Sequence, residues 1–123
     1  DLFEMIPKLR AWDKELKMMC DVLKIDFGNR TLFYRHWLYG VSREIDLSEV
    51  IVMQSTGLKD NDGIEFYKKD IVRNIDSEEL GVVEYDEGQF RVSYNGVSEQ
   101  LWEIDKDLQI IGNIYENPEL LEG

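Results

Sequence analysis

The chain has 123 residues, 43% of them hydrophobic and 33% charged, a composition that excludes a disordered segment and suits one domain or two small lobes sharing a core. A formal net charge of −12 disfavours direct contact with nucleic-acid phosphates, and no apolar run reaches the roughly 18–20 residues of a membrane helix. The single cysteine, Cys20, cannot form an internal disulfide; its apolar neighbours fit a free core thiol in a reducing compartment.

Asp1–Glu4 precede Met5 and are read as a remnant or the end of an upstream extension, without functional weight. Met5-Ile6-Pro7-Lys8 runs into mixed sequence with no secretory pattern. Residues 5–57 are expected to form a β-rich N-terminal lobe. In it, Lys8–Asp13 alternates as a strand with a basic outer face and ends in a turn at Asp13-Lys14. Lys14–Lys24 fits a short helix, with Leu16, Met19, Cys20 and Leu23 at helical spacing, or strands. The Asp26–Thr31 turn favours a β-meander from Asp21 on.

Phe33–Tyr39 reads FYRHWLY and puts five rings in seven residues. Two readings compete: a core strand and its bend, which is favoured, and a stacking platform for a partner, helped by Arg35. His36, the chain's only histidine, has neither a positioned partner in any catalytic motif nor a metal-ligand cluster, so a structural role is expected. Further on, Asp46 or Ser48 is suited to cap one helical turn, whereas Val50-Ile51-Val52 argues for a buried strand.

The Lys59-Asp60-Asn61-Asp62-Gly63 cluster marks a tight reversal. It also divides the charge: residues 1–57 hold 8 Lys/Arg against 9 Asp/Glu, and residues 58–123 hold 6 against 17. After it come five expected strands, 70–73, 80–85, 89–94, 100–104 and 108–114, with turns at Asp86-Glu87-Gly88 and Asn95-Gly96. Their spacing predicts a small closed or nearly closed SH3-like antiparallel barrel over residues 58–123. Asn117 as cap and Pro118 at the first position predict a short C-terminal helix. The fold class is therefore mainly β, with an N-terminal lobe packed on the barrel as one unit.

No Walker loop, GxGxxG, GxSxG or zinc pattern is present, so no cofactor, metal or catalytic residue is assigned and an enzyme is not expected. The Asp60-Asn61-Asp62-Gly63 run lacks the glutamate a Ca²⁺ loop needs, since Lys69 stands there.

Several stretches resemble the YopX-like family of phage and prophage proteins: Arg10-Ala11-Trp12-Asp13; Gln54–Asp60; Gly63, Glu65 and Tyr67 with Asp70-Ile71-Val72; and Ile111–Leu121. The similarity runs in order from Met5 to Leu121. The family has an acidic residue and a glycine where this chain has Lys68 and Lys69, which puts the tight turn there in question. The resemblance implies a phage or prophage protein acting in the cytoplasm of a Gram-positive host, and it brings no catalytic residues. The expected mode of action is protein–protein binding, with Arg35, His36, Trp37, Tyr39, Lys68 and Lys69 as the candidate interaction surface. The expected partner is a host or phage protein, or a second copy of the chain; no membrane is expected. The alternatives are nucleic-acid binding through Lys8, Arg10, Lys14, Lys17, Arg30 and Arg35, disfavoured by net charge, and an acidic DNA mimic.

Overall fold

The computed structural model of the chain describes residues 8–37 and 39–122. The expectations for residues 1–4 and 5–7, and for Leu38 within the aromatic run, lie outside the described residues. The chain divides into two units, one ending at Gln54 and the other beginning at Ser55.

In the first unit short polar turns separate β1 (Leu9–Asp13), β2 (Met18–Asp26), β3 (Thr31–His36), β4 (Ser42–Asp46) and the start of β5 (Val50–Lys59). All pair antiparallel in the order β4-β3-β2-β1-β5. Lys14–Lys24 is thus a turn and then a strand from Met18, not a helix. The left-handed backbone of Lys17, at φ 55°, closes that turn. Between β4 and β5, Asp46 caps a 3-10 turn over Leu47–Glu49 by accepting the Ser48 amide at 2.8 Å, and the strand expected at Val50-Ile51-Val52 follows directly, though only Val50 is buried and Val52 faces outward.

Alternation along β3 buries Leu32, Tyr34 and His36 and turns Phe33 and Arg35 outward. The inward residues pack with Ala11, Cys20, Ile45 and Val50 into this unit's core. The basic outer face expected of β1 does not form: Arg10 is 4% exposed and Asp13 fully buried.

In the second unit the far half of β5 pairs with β6 (Glu65–Tyr67), as Lys59↔Glu65 and Ser55↔Tyr67, around the predicted turn. Asp60 holds that turn. Its Oδ1 accepts the amides of Asp62 (2.9 Å) and Ile64 (2.8 Å), and its Oδ2 accepts that of Ile110 at 2.9 Å. Then come β7 (Asp70–Asn74), β8 (Leu80–Asp86), β9 (Gln89–Tyr94), β10 (Val97–Gln100) and β11 (Leu108–Asn113), as an antiparallel sheet in the order β10-β9-β8-β7-β11. Phe66, Val72, Val83, Val92, Leu101 and Leu108 form its core.

The mainly-β expectation holds, but the barrel is not closed. β10 and β11 stand at opposite ends of the order. The predicted fourth strand, 100–104, is instead a helical turn, α1 (Leu101–Ile104), followed by a 3-10 turn over Asp105–Asp107. Leu101 is fully buried. It packs in the second core where β10 ends and the helical turn begins. The C-terminal helix is a 3-10 turn, Pro118–Leu121, and Asn117 makes no capping bond. Its Oδ1 reaches back to accept the Asn113 amide at 3.2 Å.

Candidate functional site

The six residues of the candidate surface fall into three settings. Arg35 and Trp37 meet at one acid, Asp21, which faces Arg35 across the β2–β3 ladder. The Trp37 indole Nε1 donates to Asp21 Oδ1 at 2.6 Å, and Arg35 Nη2 lies 3.6 Å from Asp21 Oδ2. All three side chains remain about half exposed, and Phe33 continues the same outward face. Tyr39, 68% exposed, sets its ring edge-on to His36 at 6.5 Å. Leu23, exposed beside the β2 bulge, adds apolar surface. The favoured core reading of the aromatic run is therefore right for Tyr34 and His36 but not for Phe33, Trp37 and Tyr39.

His36 sits on the opposite face, 5% exposed, so it is not part of any surface. It belongs to a buried polar cluster around Asp13. Tyr34 Oη donates to Asp13 Oδ2 at 2.7 Å, while the Glu15 and Leu16 amides both donate to Oδ1 at 2.9 Å. His36 Nε2 lies 3.9 Å from Asp13 Oδ2, and neither ring nitrogen has a hydrogen-bond partner among the described residues. Burial pushes the Asp13 carboxyl up, but the Leu16, Tyr34 and Glu15 hydrogen bonds and the Arg43 charge together hold it below its ordinary value. Burial first, and then the Asp13 carboxylate, push the Tyr34 phenol up.

Cys20, opposite His36 in the ladder, is pushed up to about 12, chiefly by burial and then by Asp13 and Asp21. Its thiol stays protonated at neutral pH and makes a weak bond to the Met18 carbonyl at 3.6 Å. The cluster is thus a hydrogen-bonded brace with no accessible nucleophile. Sequence reasoning took Asp13 for a turn residue only; its place in the RAWD signature was the available signal.

Lys68 and Lys69 belong to the second unit. Lys69 Nζ contacts both Glu84 oxygens, at 2.7 and 2.9 Å, and Lys68 is half-buried. The turn questioned for lack of a glycine is present, because Lys69 itself takes the left-handed φ of 77°. Among the described residues no group of three or more His, Cys, Asp or Glu is disposed to hold a metal ion. The Ca²⁺-like turn fits none, since both Asp60 oxygens are occupied by amides. Among the described residues no helix is long and apolar enough to cross a membrane.

The other signature residues are scaffold. Asp70, 2% exposed, accepts the Tyr67 amide at 2.7 Å. Asn113, 4% exposed, accepts the amides of Tyr115 and Glu116 and donates to the Glu116 carboxylate. Gly112 is required by its neighbour, because a Cβ there would stand 2.5 Å from Asn117 Oδ1.

The search of curated proteins returns no match. Among solved structures the chain is similar to protein EF1440 from Enterococcus faecalis, at 31% identity over 94% of this chain and 98% of that one, with a TM-score of 0.67. It also shares its fold with yopX from Bacillus subtilis, at 21% identity over 93% and 97% of the two chains and a TM-score of 0.61. The family model described as YopX protein matches residues 8–122, and the chain belongs to that family.

Proposed function

We propose that the chain is a phage or prophage accessory protein that works in the bacterial cytoplasm by binding another protein through the outward face of β2–β3. The observation that carries this reading is the Asp21 clamp on Trp37 and Arg35, which fixes an aromatic and a guanidinium while leaving both half exposed. Tryptophan, tyrosine and arginine are enriched at the centres of protein interfaces, and a prepositioned side chain loses less entropy on binding. Phe33 extends the exposed apolar area on the same face.

Nucleic-acid binding has less support, because Arg10 is buried, Lys14 Nζ is bound to the Ser48 carbonyl at 3.0 Å and Arg35 faces Asp21. The reading is tested by photo-crosslinking in host lysate, with Trp37→Ala and, as an exposed-tryptophan control, Trp102→Ala. The expected result is one crosslinked protein lost in Trp37→Ala at unchanged melting temperature and kept in Trp102→Ala. Equal crosslinking in both variants overturns it. A second copy of the chain as the captured partner would make the surface a homo-oligomer contact.

A further inference from the structure

A cavity of about 350 Å³ opens in the second unit between the β7–β8 turn and the β9–β10 hairpin. It is lined by Asn74, Ser77, Glu79, Tyr94, Asn95 and Glu99, with Val97 at its side. Its size is at the small end of ligand pockets, enough for one side chain rather than a cofactor. Gly81 on β8 lets one lining residue, Tyr94, pack close: a Cβ there would stand 2.7 Å from the Val92 side chain and 3.1 Å from the Tyr94 ring. The Tyr94 ring therefore lies close over Gly81 of β8, with its hydroxyl covered.

Three features converge on the cavity. The Tyr94 hydroxyl is buried without a hydrogen bond of good geometry. Burial, and then the carboxylates of Glu99, Glu79 and Asp107, push its phenol up, while the neighbouring Asn74 amide pulls it down. Glu79, Glu99 and Asp107 make no ion pair among the described residues. The arginines of this unit are directed elsewhere: Arg73 to Glu78 and Gln109, and Arg91 to Ser98. A concave, negatively charged site is complementary to a cation that donates several hydrogen bonds. Among the described residues the strand on its rim, β10, is also the edge of the sheet and pairs with β9 alone. Such an edge offers its backbone to an extended chain.

We propose that this cavity binds the cationic head of a lysine or arginine side chain, presented by an extended segment of another protein that lies along β10. The site is separate from the β2–β3 surface and does not depend on it.

The test is an amide-resonance titration of the whole chain at about 0.15 M salt, where long-range attraction to the acidic surface is screened. The probes are a blocked pentapeptide with arginine between valines, the same peptide with neutral citrulline, and spermidine. The arginine peptide is expected to shift Asn74, Asn95, Glu99 and the β10 amides saturably. Citrulline, or Glu79→Gln with Glu99→Gln in the protein, should weaken binding by at least about tenfold at unchanged melting temperature. Asp86→Asn with Glu87→Gln, an equal change of charge outside the lining, should leave it intact. Three outcomes overturn the proposal: equal binding of citrulline, equal loss in that control, or saturation of the same amides by spermidine at lower concentration. The last would assign the site to free polyamines.

Discussion

At Asp13 two backbone amides and a phenol meet one fully buried carboxylate, and removing any of them leaves a buried acceptor short of a partner. Tyr34→Phe is therefore expected to cost about 1–3 kcal/mol in urea unfolding at neutral pH. It also removes one of the bonds that lower the Asp13 carboxyl. A carboxyl whose folded value lies below its unfolded value adds stability above about pH 4, and this is lost as pH falls through the folded value. In Tyr34→Phe the folded value rises, so acid unfolding should set in at higher pH than in the parent. Asp13→Asn should flatten the acid limb, and an acid limb as steep as the parent's would refute the linkage. The phenol works in the opposite sense. Its raised value makes the Tyr34 contribution present below about pH 10 and lost as pH rises further. Sequence reading recognised the turn that Asp13 opens, because its amide acceptors are two and three residues away. It missed the brace because Tyr34 is 21 residues on and reaches Asp13 only once β1, β2 and β3 have paired.

Between elements, the turns were readable and the strand ends were not. Turn chemistry is local: Asp86↔Gln89 closes over Glu87 and Gly88, both at positive φ, as the Asp-Glu-Gly sequence suggests. By contrast, Leu101-Trp102-Glu103-Ile104 reads as a strand by composition and becomes α1 because Leu101 is needed in the core, a tertiary demand that periodicity does not carry. Lys69 lies between these cases. The β6–β7 reversal needs a left-handed residue, and this chain puts a lysine there and ties it to Glu84. The two effects can be separated. In a Glu84→Gln background, where the ion pair is gone, Lys69→Gly relieves the left-handed strain and should raise stability by about 1 kcal/mol. In the parent the gain should be smaller, since a partly exposed pair contributes up to about 1 kcal/mol of its own. A matching cycle applies at the C-terminus. Gly112→Ala should destabilise by driving a Cβ against Asn117, and the loss should shrink when Asn117→Ala is added. Strict additivity in urea melts would rule out the clash as the cause.

At the scale of the whole chain, the sequence showed the charge asymmetry and the mainly-β class but not that the second sheet stays open. The asymmetry has a thermodynamic consequence. Residues 58–123 carry a net charge of −11 and residues 1–57 only −1, so like-charge repulsion falls almost entirely on the second unit. Each unit has its own apolar core, so amide hydrogen exchange can follow them separately: Leu32 and Tyr34 report on the first, Val72, Val83 and Val92 on the second. Raising the salt from about 0.02 M to about 0.5 M shortens the screening length from about 20 Å to under about 5 Å. Repulsion among exposed acids such as Glu79, Glu99 and Asp107 then weakens, whereas the buried hydrogen bonds at Asp13 and Asp60 are hardly screened. Protection at Val72, Val83 and Val92 should rise with salt, and that at Leu32 and Tyr34 should change much less. An equal rise at both sets would mean that salt acts through apolar burial common to both cores. A fall at the second set would mean that attractive pairs such as Lys69–Glu84 outweigh the repulsion.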